Sequence, residues 1–91
     1  MRIDLRITRM SVSTTREPWL YLVRFISADI WGDGRGPERE CDGDAELEDL
    51  LEKIGIEASD RGLIVREARK GASSVTGLPI TEEKLRELEL R

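Results

Sequence analysis

The sequence predicts a small α+β protein: a three-stranded sheet in β-β-α-β order, one amphipathic helix packed on a face, and a short C-terminal helix. Three observations predict it. Residues 2–8 alternate apolar and polar, the period of a half-buried strand. Residues 19–31 are rich in aromatic and branched side chains, which favour a pleated surface. Leu47, Leu50, Leu51 and Ile54 recur at i, i+3, i+4 and i+7, one apolar stripe of a helix. At 91 residues, one domain spanning 1–91 is expected.

In the first strand Ile3, Leu5 and Ile7 share one side, with Arg2, Asp4 and Arg6 on the other. The phase slips afterwards, since Met10 and Val12 are apolar at even positions, and a bulge near Arg9 would reconcile the halves. Ser13–Pro18 reads as a turn. The next strand, Trp19–Trp31, sets Trp19, Tyr21, Val23 and Phe25 on one face and Leu20, Leu22 and Ile26 on the other. A strand apolar on both sides is covered on both or extends into an interface. The short connection makes the two an antiparallel hairpin.

Residues 32–43, GDGRGPERECDG, read as a long glycine-rich acidic loop. Gly43 or Asp44 then caps the leucine-striped helix, with Glu46 placed to assist and Gly55 as its stop. Gly62–Arg69 is expected as the third strand, with Leu63 and Val65 facing the core, followed by a loose segment, Gly71–Pro79. Thr81 caps a short final helix, with Ile80 placed to pack on Leu85.

The composition removes much chemistry. With no histidine, Ser-His-Asp and Cys-His catalysis and His-ligated metal sites are excluded. Cys41 stands alone, so no internal disulfide forms, and its neighbours Glu40 and Asp42 disfavour a reactive thiolate. The run Gly32-Asp33-Gly34-Arg35-Gly36 lacks the Lys-Ser/Thr of a phosphate loop and is flanked by acids. Asp29, Asp33 and Glu40 match part of a calcium-loop spacing, but Trp31 occupies a ligand position. Catalysis by paired carboxylates needs a cleft that a chain of this size has little room to build. No cofactor or metal site is expected, and the protein is read as a non-enzyme. No apolar run approaches the roughly 18 residues of a membrane span, and the start MRIDLRITRM lacks a signal peptide's apolar stretch. A cytoplasmic protein without membrane contact is therefore expected.

Charge supplies the functional signal. The net charge is −4, yet residues 33–60 hold eleven acidic and three basic side chains, a local −8, while both flanks are net positive. Asp44, Glu48 and Glu52 form an i, i+4, i+8 row, and Glu46 and Asp49 fill the rest of that helix face. Glu38, Glu40 and Asp42 add three acids just before it. Like charges so close repel, and charge focused on one element speeds encounter with an opposite surface. In size and charge the chain resembles the small inhibitors of phages and mobile elements, the anti-restriction and anti-CRISPR proteins among them, some of which present carboxylates to nucleic-acid-binding surfaces. Residues 38–52 are thus expected to occupy a basic surface on a nucleic-acid-handling protein, with Glu38, Glu40, Asp42, Asp44, Glu46, Glu48, Asp49 and Glu52 as contacts. Direct nucleic-acid binding is the alternative, through Arg2, Arg6, Arg9, Arg24, Arg66 and Arg69 on a sheet face, where the bland counterpart is pairing with Asp4 and Glu67. A metal-binding accessory role through the Asp29 loop is a third. A monomer or a homodimer built through residues 19–31 suits all three.

Overall fold

The computed structural model describes residues 1–10 and 19–91. Its strands are β1 (Arg2–Met10), β2 (Leu20–Ile26), β3 (Arg35–Asp42) and β4 (Ala72–Pro79); its helices are α1 (Gly43–Ile54), α2 (Ala58–Arg69) and α3 (Glu82–Glu87). The α+β class is as expected, but the sheet has four strands, all antiparallel, in the order β3-β2-β1-β4.

β1 and β2 form the expected antiparallel pair, and the side-chain alternation decides its faces. Leu5 opposes Phe25, Ile7 opposes Val23, and these residues are buried with Ile3 and Tyr21 under the helices. Leu20, Leu22 and Ile26 point to the opposite, open face. The expected bulge near Arg9 is absent from this pair, whose register runs unbroken to Met10↔Leu20. Met10 therefore lies exposed on the open face. The irregularity in β1 lies instead between Ile3 and Leu5, against β4. There Gly77 takes a positive φ of 67°, and its N–H donates to Asp4 Oδ1 at 2.8 Å. Val12 and the Ser13–Pro18 turn lie outside the described residues. β2 ends at Ile26 rather than Trp31, because Ser27 N–H bonds to Gly34 C=O and Trp31 N–H to Ser27 C=O, closing a turn.

Three further expectations need correction. The glycine-rich loop contains β3, whose inward face offers only Cys41 as a buried apolar side chain. Arg39 also faces inward, and its guanidinium donates to Leu88 C=O. Gly62–Arg69 is the C-terminal part of α2, not a strand. Its inward stripe is Arg61, Ile64, Val65 and Ala68, so Val65 is buried but Leu63 is exposed. The loose segment is β4, the pairing partner of β1.

α1 buries the stripe Leu47, Leu50, Leu51 and Ile54, and Gly55 closes it in the left-handed region at φ 107°. Its N-cap is Asp42 rather than Gly43, and Glu46 Oε2 accepts from the Asp42 N–H. Thr81 caps α3, its hydroxyl accepting from Lys84 N–H at 3.1 Å. Ile80, Leu85, Leu88 and Leu90 complete the same core. No helix among the described residues is long and apolar enough to cross a membrane.

Candidate interaction surfaces

The eight acids divide according to where the fold points them. Glu38, Glu40 and Asp42 lie opposite Arg24, Leu22 and Leu20 and so share the open face along the β3 edge. Arg24 Nε donates to Glu38 Oε2 at 2.9 Å, an exposed pair. Glu40 and Asp42 are exposed and have no ion pair among the described residues.

On α1 the expected row is turned partly toward α2. Asp44 gathers three donors. Trp19 Nε1–H (3.0 Å) and the Tyr21 hydroxyl (2.5 Å) reach Oδ1, and the Arg69 guanidinium grips Oδ2. Arg9 lies over the Trp19 ring, 5.8 Å from its centroid, and donates to Arg69 C=O at 2.6 Å. Burial alone would raise the Asp44 pKa; hydrogen bonds from Tyr21, Arg69 and Trp19 outweigh it and hold the carboxyl below its usual value. Burial, with the adjoining Asp44 carboxylate, pushes the Tyr21 hydroxyl well above its ordinary range and keeps it a donor. The cluster joins β2, α1 and α2, and a fully buried, protonated tyrosine suits a fastener rather than a nucleophile.

Glu48 lies 3.8 Å from Arg61 Nε, an ion pair rather than a hydrogen bond. That arginine side chain is only 16% exposed and spends Nη1 on Ile56 C=O at 2.6 Å. Its Nε is buried without a hydrogen-bond partner among the described residues. Three of the eight expected contacts, Glu38, Asp44 and Glu48, are therefore paired with arginines of the same chain. Glu46 is exposed while its carboxylate caps α1. Asp49 and Glu52 are exposed on α1, with no ion pair among the described residues. Of the eight expected contacts, the five not paired with a cation among the described residues are Glu40 and Asp42 on β3 and Glu46, Asp49 and Glu52 on α1.

The arginines also separate. Arg66 and Arg69 belong to α2, and Arg9 stands with Trp19 on the helix side. The expected pairing of sheet arginines with Asp4 and Glu67 does not form, since Asp4 accepts from Gly77 and Glu67 is an exposed helix residue. Arg6 and Arg24 are direct cross-strand neighbours on the open face, an opposition that costs a few tenths of a kcal/mol. Arg35, opposite Ile26, joins them in a concavity of about 510 Å³ also lined by Glu38 and Gly36. The sequence pattern did not reveal this trio, because it exists only once β3 pairs with β2. None of the four aromatic residues stands on the open face: Tyr21 and Phe25 are buried, and Trp19 and Trp31 pack against the core. That face therefore lacks the stacking platform of sheet-type RNA binders.

The calcium-like spacing does not converge. Asp33 accepts from Arg35 N–H at 3.0 Å, whereas Glu40 stands up the strand opposite Leu22. Among the described residues no group of three or more acidic or cysteine side chains is placed to hold a metal ion. Cys41 is buried, and burial first, then the Glu46 carboxylate, push its thiol up to about 11 against the opposing charge of Arg39. No protein-family model matches the chain, and comparison with curated proteins and with solved structures gives no match.

Proposed function

We propose that this protein is a non-enzymatic binding protein whose β3–α1 corner occupies a basic surface of a nucleic-acid-handling partner. The observation that carries this is the residue of unpaired charge: Glu40, Asp42, Glu46, Asp49 and Glu52 stay exposed without a cation from the chain, among the described residues. Arg24, Arg61 and Arg69 are engaged with Glu38, Glu48 and Asp44. An edge strand and the helix that follows it together present carboxylates over two adjoining surfaces, which suits a concave or grooved cationic partner. Such contacts set encounter rate and specificity, and salt screens them over roughly 10 Å at 0.1 M.

The test compares wild type with Asp49→Lys/Glu52→Lys as bait for basic proteins from source cells at rising salt. Capture by wild type that weakens with salt and is lost in the variant supports the proposal. Equal capture by both, or capture indifferent to salt, refutes it.

A second reading rests on the Arg6–Arg24–Arg35 concavity, which holds three guanidinium groups against the single carboxylate of Glu38. On it, the open sheet face binds phosphate groups directly, and Arg6→Gln would lower affinity for a single-stranded oligonucleotide while Asp49→Lys/Glu52→Lys would not.

A further inference from the structure

The two edges of the sheet are built differently. β3 carries devices that discourage a strand from adding to an edge: Pro37 lacks an N–H, and the charged Glu38 and Glu40 lie within the strand. β4, at the opposite edge, reads Ala-Ser-Ser-Val-Thr-Gly-Leu-Pro. It holds no charged residue, and its proline stands at the last position. Gly77 N–H and C=O are taken by Asp4 and Arg2, so the pairing template is the outward N–H and C=O groups of the rest of the strand.

Beside that edge runs a groove of about 520 Å³ between α2 and β4. Ser74, Val75 and Thr76 are consecutive and alternate in direction, yet all three line it, so it follows the strand's outer edge. Its other wall includes Ile56, Leu63 and Ile64. Leu63 is 56% exposed, more than any other large hydrophobic side chain among the described residues, and sits beside the middle of β4.

We propose that this edge is the interface of a homodimer in which β4 pairs antiparallel with β4 of a second copy. The two-fold axis passes near Val75, the sheets join into eight strands, and Leu63 meets its counterpart across the axis. Charge complementarity argues for a second copy as the occupant. Asp60 and Arg66 lie three residues to either side of Leu63 on α2, both exposed and neither in an ion pair among the described residues. A two-fold reversal about Leu63 sets Asp60 against Arg66 of the second copy, twice, as an isologous interface requires. α2 packs on β4 more than on β1, which brings the two copies of the helix near each other over the joined edge. The β3–α1 corners then stand at the two far ends of the continuous sheet, so this interface is independent of the acidic surface.

Sedimentation equilibrium on the full chain tests it. The expected mass is twice the 10.4 kDa of one chain. Leu63→Lys and Thr76→Lys alter exposed positions and should each weaken the dimer by about tenfold or more with an unchanged circular dichroism spectrum. Asp60→Arg and Arg66→Asp should each weaken it, and the double exchange should restore it. A monomer at every concentration would overturn the proposal. So would a dimer indifferent to Leu63→Lys and Thr76→Lys, or a monomer whose β4 edge instead accepts an unrelated extended peptide.

Discussion

Replacing Asp44 by alanine separates a structural acid from the acids assigned to binding. Tyr21 is fully buried, and its hydroxyl donates to Asp44 Oδ1. Truncation leaves that phenol without its acceptor, a loss of about 1–3 kcal/mol for a buried unsatisfied group. Trp19 is half-buried, so its indole N–H regains some water, and the Arg69 guanidinium already lies in solvent, where its pairing counts for little. The net expectation is about 2 kcal/mol, or roughly 8–16 °C in Tm for a domain of this size. Asp44→Asn keeps a carbonyl oxygen for Tyr21 and should lose about half as much. Urea and thermal unfolding followed by circular dichroism measure both. A large loss is expected for Asp44→Ala and almost none for Asp49→Ala. Stability of Asp44→Ala within about 0.5 kcal/mol of wild type would refute the role given to the cluster.

Further expectations follow from the same geometry. The Asp44 pKa is depressed in the folded state, so its contribution to stability is complete above the unfolded value of about 4 and fades as pH falls through the lower folded one. The stability gap between wild type and Asp44→Asn should therefore shrink on acidification, as pH-dependent urea titrations will read; a gap constant from neutral pH to well below pH 4 would contradict this. Cys41, with its thiol pushed up to about 11 and its side chain buried, should react with a thiol reagent at mildly alkaline pH only as fast as the protein opens, and at once in denaturant. At Gly36 an added Cβ would overlap the Trp31 ring, so Gly36→Ala should cost about 1–3 kcal/mol and shift tryptophan fluorescence. A neutral outcome there would mean the indole is free to move aside.

What the sequence made legible was whatever a repeating apolar pattern could announce. Ile3, Leu5 and Ile7, the doubly apolar second strand and the Leu47–Ile54 stripe all lie where periodicity puts them. The misread elements are those whose inward positions are not aliphatic. β3 turns Arg39 inward and satisfies its guanidinium on the Leu88 carbonyl, so no alternation of hydrophobicity marks the strand. α2 begins its stripe with Arg61, while exposed Leu63 and buried Val65 imitate the period of a strand. β4 is mostly small and polar, and only pairing with β1 makes it a strand. The candidate site was legible as composition but not as geometry. Spacing set Asp44 and Glu48 on one helix face, yet it could not foresee that α2 would bring Arg69 and Arg61 against them.

The β3–α1 corner is proposed to compete with nucleic acid for a partner's cationic surface. The most direct measurement is displacement: the captured complex is challenged with a single-stranded oligonucleotide, and release of the protein is followed against oligonucleotide concentration. The proposed docking predicts mutual exclusion, with oligonucleotide driving the protein off, and no complex for Asp49→Lys/Glu52→Lys. A ternary complex in which partner, oligonucleotide and protein stay together, or a charge-reversed variant bound as tightly as wild type, would contradict it.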